Sequence, residues 1–283
     1  MTTKILINGL AEHRIDVLDR GFQYGDGLFE TILVELGCAT FLDRHINRLL
    51  KGCAKLGFPT IDVAIIKQEI LALINPHQTG VLKLIISRGV GERGFLAPSE
   101  PAITRVISFN EQAVSIRRKL EVFTLTHCQV RLSRQPLLAG LKHLNQLERV
   151  LAREELRGQS GEGLMLDVNE KVIEGIMSNL FMVKDRCLIT PSLSHSGVAG
   201  IIREFLLEQA KQQGIACEVK ELTLLDLETA DEIFMTNSLM PVRAINHLMT
   251  PACSIIKSST EFAQWALDTV ADDVQQQCLR EAV

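Results

Sequence analysis

The chain has 283 residues, enough for one large or two modest domains at roughly 150 residues each, with length to spare for a buried core. Thirty Lys plus Arg against 34 Asp plus Glu give a net charge of −4, and 46% of residues are hydrophobic. This balance excludes a disordered chain and lacks the basic surplus that neutralising nucleic-acid phosphates requires. The compact basic run, Arg117, Arg118 and Lys119, is too short to change that. No apolar stretch approaches the about eighteen residues that span a bilayer. The apolar patch at 5–10 is shorter than a secretory signal core and runs into Glu12, His13 and Arg14, so the expected location is the cytoplasm. Seven cysteines without a CxxC pair and seven histidines without an HExxH pair predict reduced, mostly buried thiols and no metal site.

Segments 4–8, 27–36, 81–87 and 103–109 are rich in β-branched and aromatic residues and predict strands. Between them, apolar residues recur at helical spacing over 41–58 (Leu42, Ile46, Leu49, Leu50, Cys53, Leu56), and a second helix is expected over 61–74, stopped by Pro76. A strand follows at 119–126. The polar, basic stretch 127–136 reads as a connection, and 143–157 as a helix. Short strands are expected at 163–167, 171–174, 178–183 and 187–190, then a helix at 200–213 ended by Gly214. Strands at 215–222, 231–236 and 241–245 and a helix at 259–280 complete the pattern. The mixture predicts an α+β chain of two domains: a small one over 1–112, a boundary at 113–120, and a larger one over 121–283.

Gly89, Gly91 and Gly94 spell GxGxxG after a strand, but Pro98 and Pro101 follow where a dinucleotide fold needs a helix. A loop carrying Arg88 and Arg93 is expected instead, with guanidinium groups suited to carboxylates. Lys142 stands in an apolar setting, LLAGLKHLNQL. Burial there favours the neutral, nucleophilic amine, and the alternative is a lysine with a buried stem and a solvated head. Glu174, ending KVIEG, is either an anion for a protonated ring nitrogen or a charge leaving a strand for a turn. The start of GVAGIIREF, with N–H groups at Ile201 and Ile202, suits a phosphate. Arg48, Asn237 and Ser238 would add polar partners, or serve surface and turn roles.

Taken in order, the segments DRGFQYGDGLFET, RHINRLLKGCAKLG, SRGVGERG, LAGLKHLNQLERVLAR, LMLDVNEKVIEGIMSNLF, GVAGIIREF and DEIFMTNSLMPV cover most of the first 245 residues. In this order they resemble the fold-type IV pyridoxal-phosphate enzymes. The closest likeness is to the branch whose members convert 4-amino-4-deoxychorismate to 4-aminobenzoate and pyruvate, a step supplying folate. The resemblance implies pyridoxal 5'-phosphate as cofactor, Lys142 as the Schiff-base lysine and Glu174 at the pyridine nitrogen. It further implies Arg48 at the phosphate, completed by the backbone at Ile201 and Ile202 and by Thr236, Asn237 and Ser238. Tyr24 would lie near the cofactor or only pack, and Arg88, Arg93, Arg131 and Arg134 are candidates for the substrate carboxylates. The family's habit implies a homodimer. D-amino-acid and branched-chain aminotransferases share the fold and stand as the alternative activity.

Overall fold

The computed structural model describes residues 3–114, 116 and 118–281; Arg117 of the basic run lies outside the described residues. The chain divides into two units, residues 1–115 with 141–145 and 274–283, and residues 116–140 with 146–273. The segment that carries Lys142 therefore groups with the first unit, whereas the sequence placed it in the larger domain.

In the first unit, β1 (Thr3–Ile7), α1 (Arg20–Tyr24), β2 (Gly27–Glu35), β3 (Cys38–Ala39), α2 (Leu42–Lys55), α3 (Val63–Leu73), β4 (Gly80–Ser87) and β5 (Thr104–Glu111) follow in order. The strands form one antiparallel sheet, β1-β5-β4-β2-β3. Alternation sets its faces: Leu82, Leu84 and Ile86 of β4 are fully buried while Lys83 between them is exposed. Helix α2 packs on β2 and buries Ile46, Leu49 and Cys53, a stripe at i, i+3 and i+7. It starts after Phe41, whose φ of 54° is left-handed, and the Phe41 N–H donates to Gln277 Oε1 at 2.6 Å. The chain's last turns thus anchor the helix that carries Arg48.

In the second unit come β6 (Glu121–Leu132), α4 (Leu147–Glu155), β7 (Glu162–Asp167), β8 (Val172–Gly175), β9 (Asn179–Lys184), β10 (Cys187–Pro191), α5 (Ile201–Gln212), β11 (Cys217–Lys220), α6 (Leu224–Glu228), β12 (Glu232–Thr236), β13 (Arg243–Met249), β14 (Ser254–Ile256) and α7 (Glu261–Glu281). A nine-stranded mixed sheet runs β11-β10-β9-β12-β13-β6-β7-β8, with β14 added on β13. Strand β6 is parallel to both β7 and β13. Every residue of β7 is buried, as its near-continuous apolar run requires. Leu125, Leu164, Leu166, Leu180, Ile233 and Ile245 build the core behind it.

Two expectations are corrected. The stretch 127–132 is not a connection: β6 continues through it and pairs Arg131 with Leu166 and Leu132 with Asp167. Helix α4 begins at Leu147, four residues later than expected. All seven cysteines are free, but only Cys38, Cys53 and Cys128 are buried. Among the described residues no helix is long and apolar enough to cross a membrane, and no cluster of His, Cys, Asp and Glu is arranged to hold a metal.

Candidate active site

Lys142 lies beside β2 because the segment 141–145 runs along that strand. The Phe29 N–H donates to the Lys142 carbonyl at 2.9 Å, and the Leu144 N–H donates to the Gly27 carbonyl at 3.0 Å. Gly27 permits this approach: a Cβ there would sit 2.5 Å from the Ile86 carbonyl oxygen and 2.7 Å from Leu144 Cδ1. Half-buried Lys142 holds its Nζ 4.2 Å from the centre of the Phe29 ring.

The next residue of β2, Glu30, is a buried carboxylate gripped from α2. His45 Nδ1 lies 2.6 Å from Oε2, and Arg48 donates Nε to Oε1 at 2.8 Å and Nη2 to Oε2. His45 and Arg48 stand at i and i+3, on one face of the helix. Burial pushes the Glu30 carboxyl up, but Arg48 and His45 overcome this and hold it down at about 2. Burial pushes His45 down, against the pull of Glu30, and the charges of Arg48 and Lys142 add to the fall. Both shifts act on stability in the same sense. The unfolded chain protonates His near 6.5 and Glu near 4.5, before the folded protein does, so stability is fully present above these values. It is lost as pH falls below 6.5, and further between 4.5 and about 2. Thermal melts from pH 8 to pH 3 are expected to show this fall, and Glu30→Gln to flatten its portion below 4.5; an unchanged acid slope in the variant would refute the assignment.

Arg88, expected among the carboxylate binders, is otherwise engaged. Its Nε donates to Asp26 at 2.8 Å, its Nη atoms donate to the Leu56 and Gly57 carbonyls, and it stacks 4.1 Å over Phe58. It therefore ties Asp26 to the end of α2. Arg20 donates to the same Asp26 oxygen and to the carbonyls of Gly94, Phe95 and Leu96, which fixes the loop after β4. That loop enters β5 without a helix, so the three glycines cradle no dinucleotide. Arg131 is paired with Glu170, and Arg134 with Asp167. Arg93 is exposed and has no hydrogen-bond or ion-pair partner among the described residues. Tyr24 is half-buried between the Phe95 ring and the Arg20 guanidinium.

In the second unit, Glu174 ends β8 with 2% exposure. Its Oε1 accepts from Arg149 Nη2 at 2.5 Å; its Oε2 accepts from Asn179 Nδ2 at 2.9 Å and from the Val198 N–H at 3.1 Å. Asn179 joins the rest of the predicted set. Nδ2 also donates to the Val198 carbonyl, and across the sheet Asn179 pairs with Thr236. Its Oδ1 lies where a Cβ on Gly200 would be, 1.8 Å away, so only glycine fits there as the N-cap of α5. No side chain caps that helix, which leaves the first N–H groups, at Ile201 and Ile202, without a side-chain acceptor. Thr236 is 2% exposed, and its Oγ1 is buried without a hydrogen-bond partner. Asn237 accepts the N–H groups of Leu239 and Met240 through Oδ1 and folds the turn after β12; Ser238 is half-buried within that turn.

Residues 27–248 match the profile described as amino-transferase class IV, about four-fifths of the chain. The chain belongs to the amino-transferase class IV family. Among curated relatives, an aminodeoxychorismate lyase of Vibrio harveyi is 36% identical, with 87% of this chain and 91% of that protein covered. A putative branched-chain-amino-acid aminotransferase of Methanocaldococcus jannaschii is 31% identical, over 83% and 84%. Among solved structures, the 4-amino-4-deoxychorismate lyase of Pseudomonas aeruginosa is 39% identical with a TM-score of 0.85, covering 95% of this chain and 99% of that one. The fold is therefore the α+β fold-type IV architecture of this class IV family, as the sequence resemblance implied. Reasoning from the sequence passed over Glu30, His45, Arg149 and Asn179. The available signals were a charge inside the strand pattern FETIL, the i, i+3 pair of α2, and an asparagine opening an apolar strand.

Proposed function

We propose that the protein is a pyridoxal-phosphate-dependent lyase that converts 4-amino-4-deoxychorismate to 4-aminobenzoate and pyruvate, with Lys142 as its catalytic residue. The observation that carries this reading is the pair of matches, one by sequence and one by structure, that span most of both chains and bear that activity in their names. The residues fit the cofactor. The unpartnered Thr236 hydroxyl and the uncapped start of α5 at Ile201 and Ile202 suit its phosphate. Asn237 and Ser238 shape the turn beside Thr236, and Arg48 supplies a cation. Glu174 Oε1 has one donor where a carboxylate oxygen has room for two, which leaves it able to accept from the ring nitrogen.

When bound, pyridoxal phosphate supplies an aldehyde that condenses with amines and a ring that withdraws electrons from the neighbouring C–H bond. Glu174 keeps the ring nitrogen protonated by presenting a carboxylate oxygen to it. Lys142 Nζ removes the proton from the substrate carbon that bears the amino group. The C–O bond to the enolpyruvyl group then breaks, and the six-membered ring becomes aromatic. Lys142 Nζ returns its proton to the methylene carbon of the departing fragment, giving pyruvate. Arg93 is the arginine left to meet a substrate carboxylate, and Tyr24 lines the approach. A cytoplasmic homodimer with no nucleic-acid partner completes the proposal.

Incubation with aminodeoxychorismate is expected to yield 4-aminobenzoate and pyruvate in equal amounts. The aminotransferase match makes the second arm necessary. D-alanine or branched-chain amino acids with 2-oxoglutarate are expected to yield nothing comparable, and the opposite pattern would replace the lyase by an aminotransferase.

A further inference from the structure

Arg149 sits in the first turn of α4, where the helix macrodipole disfavours a cation. What holds it there is a fork of contacts around Glu174. Nη2 donates to Glu174 Oε1 at 2.5 Å, and Nη1 donates to the carbonyls of Gly175 at 3.2 Å and Ile176 at 2.8 Å. One guanidinium thus fixes the carboxylate together with the two peptide units that follow it. With 17% of the Arg149 side chain exposed and 3% of Glu174, little water competes for either. The other oxygen of Glu174 is tied to Asn179 and Val198, so Arg149 alone sets where Oε1 stands.

We propose that Arg149 is the positioning residue of Glu174, fixing Oε1 for the ring nitrogen of the cofactor and acting on the reaction only through that carboxylate. This role rests on the functional reading given above. A lysine at 149 would restore the charge but not the fork, because an ammonium cannot hold a carboxylate oxygen and two carbonyls in that planar arrangement.

The test compares Arg149→Met, Arg149→Lys, Glu174→Gln and the double variant Arg149→Met/Glu174→Gln in protein loaded with pyridoxal phosphate. Arg149→Met is expected to shift the visible absorption of the bound cofactor in the same direction as Glu174→Gln. It should lower kcat about tenfold or more while KM stays within about threefold, the mark of an interaction spent on the transition state. Arg149→Lys should fall between. In the Glu174→Gln background, Arg149→Met should change kcat less than about twofold, since residues acting as one unit are not additive. In cofactor-free protein the Val198 amide should exchange about fivefold faster in Arg149→Met, as its acceptor loses its anchor. Wild-type absorption and kcat in a fully loaded Arg149→Met protein would overturn the proposal, and so would additive losses in the double variant. If Arg149→Met does not fold, Arg149→Lys carries the same comparisons. Wild-type protein that takes up no pyridoxal phosphate takes down the functional reading, and this role with it.

Discussion

Lys142→Ala is expected to fold and to lose turnover by at least about 10⁴-fold, because one side chain is asked to anchor the cofactor and to move the proton. The fold loses little. The backbone bonds that lay segment 141–145 along β2, Phe29 N–H to the Lys142 carbonyl and Leu144 N–H to the Gly27 carbonyl, involve no side chain of residue 142. What disappears is the contact of Nζ with the Phe29 ring, worth about 1 kcal/mol. Lys142→Arg is the sharper control. It keeps a cation near Phe29 but stays protonated, so it can neither attack an aldehyde nor accept a proton. Both variants should melt within a few degrees of wild type, and hydride trapping with labelled cofactor should mark residue 142 in wild type alone. Retained turnover in either, or a label on another residue, would remove Lys142 from its role.

The same lysine shows how far the sequence can be read. Its apolar neighbours Leu141, Leu144 and Leu147 have the spacing of a helix, and a helix from 143 was the natural expectation. The structure delays α4 to Leu147 because residues 141–145 are bound along β2, and that long-range pairing has no local signal. Strand β6 failed for a related reason. The sequence 127–132, HCQVRL, alternates polar with apolar, but the register against β7 shifts between His127 and Arg131, and His, Gln and Arg occupy the exposed or half-buried side. Elements driven by a buried stripe were legible: α2, α5 and β4 lie within a few residues of expectation. Short ones such as α1 carry no period; α1 is set by the Asp19 cap and the left-handed Gly25. In the site, single unusual residues stood out, whereas their holders did not. Glu174 is visible as a charge before a glycine, but Arg149, 25 residues earlier, looks like any helix-surface arginine until the fold brings the two together.

Glu174→Gln tests the electronic half of the mechanism, and its effect follows from the donors that surround the side chain. Arg149 Nη2, Asn179 Nδ2 and the Val198 N–H all point hydrogens at the two oxygens. A glutamine must put its NH₂ group on one side. Placed at Oε2 it would face two donors, and Asn179 cannot turn to relieve this without losing its bond to the Val198 carbonyl. The NH₂ therefore goes to the Oε1 side, opposite Arg149, and the unmatched donors cost about 1–3 kcal/mol. The amide now presents hydrogens where the ring nitrogen needs an acceptor, and it carries no charge to keep that nitrogen protonated. Cofactor binding should persist, since Lys142, Arg48 and the start of α5 are untouched, while kcat falls about 100-fold or more, the usual scale for losing a preorganised electrostatic partner. Glu174→Asp, which keeps the charge but withdraws it by one methylene, should lie between the two. A rate within about threefold of wild type in a fully loaded Glu174→Gln protein would mean that the ring does not depend on this carboxylate.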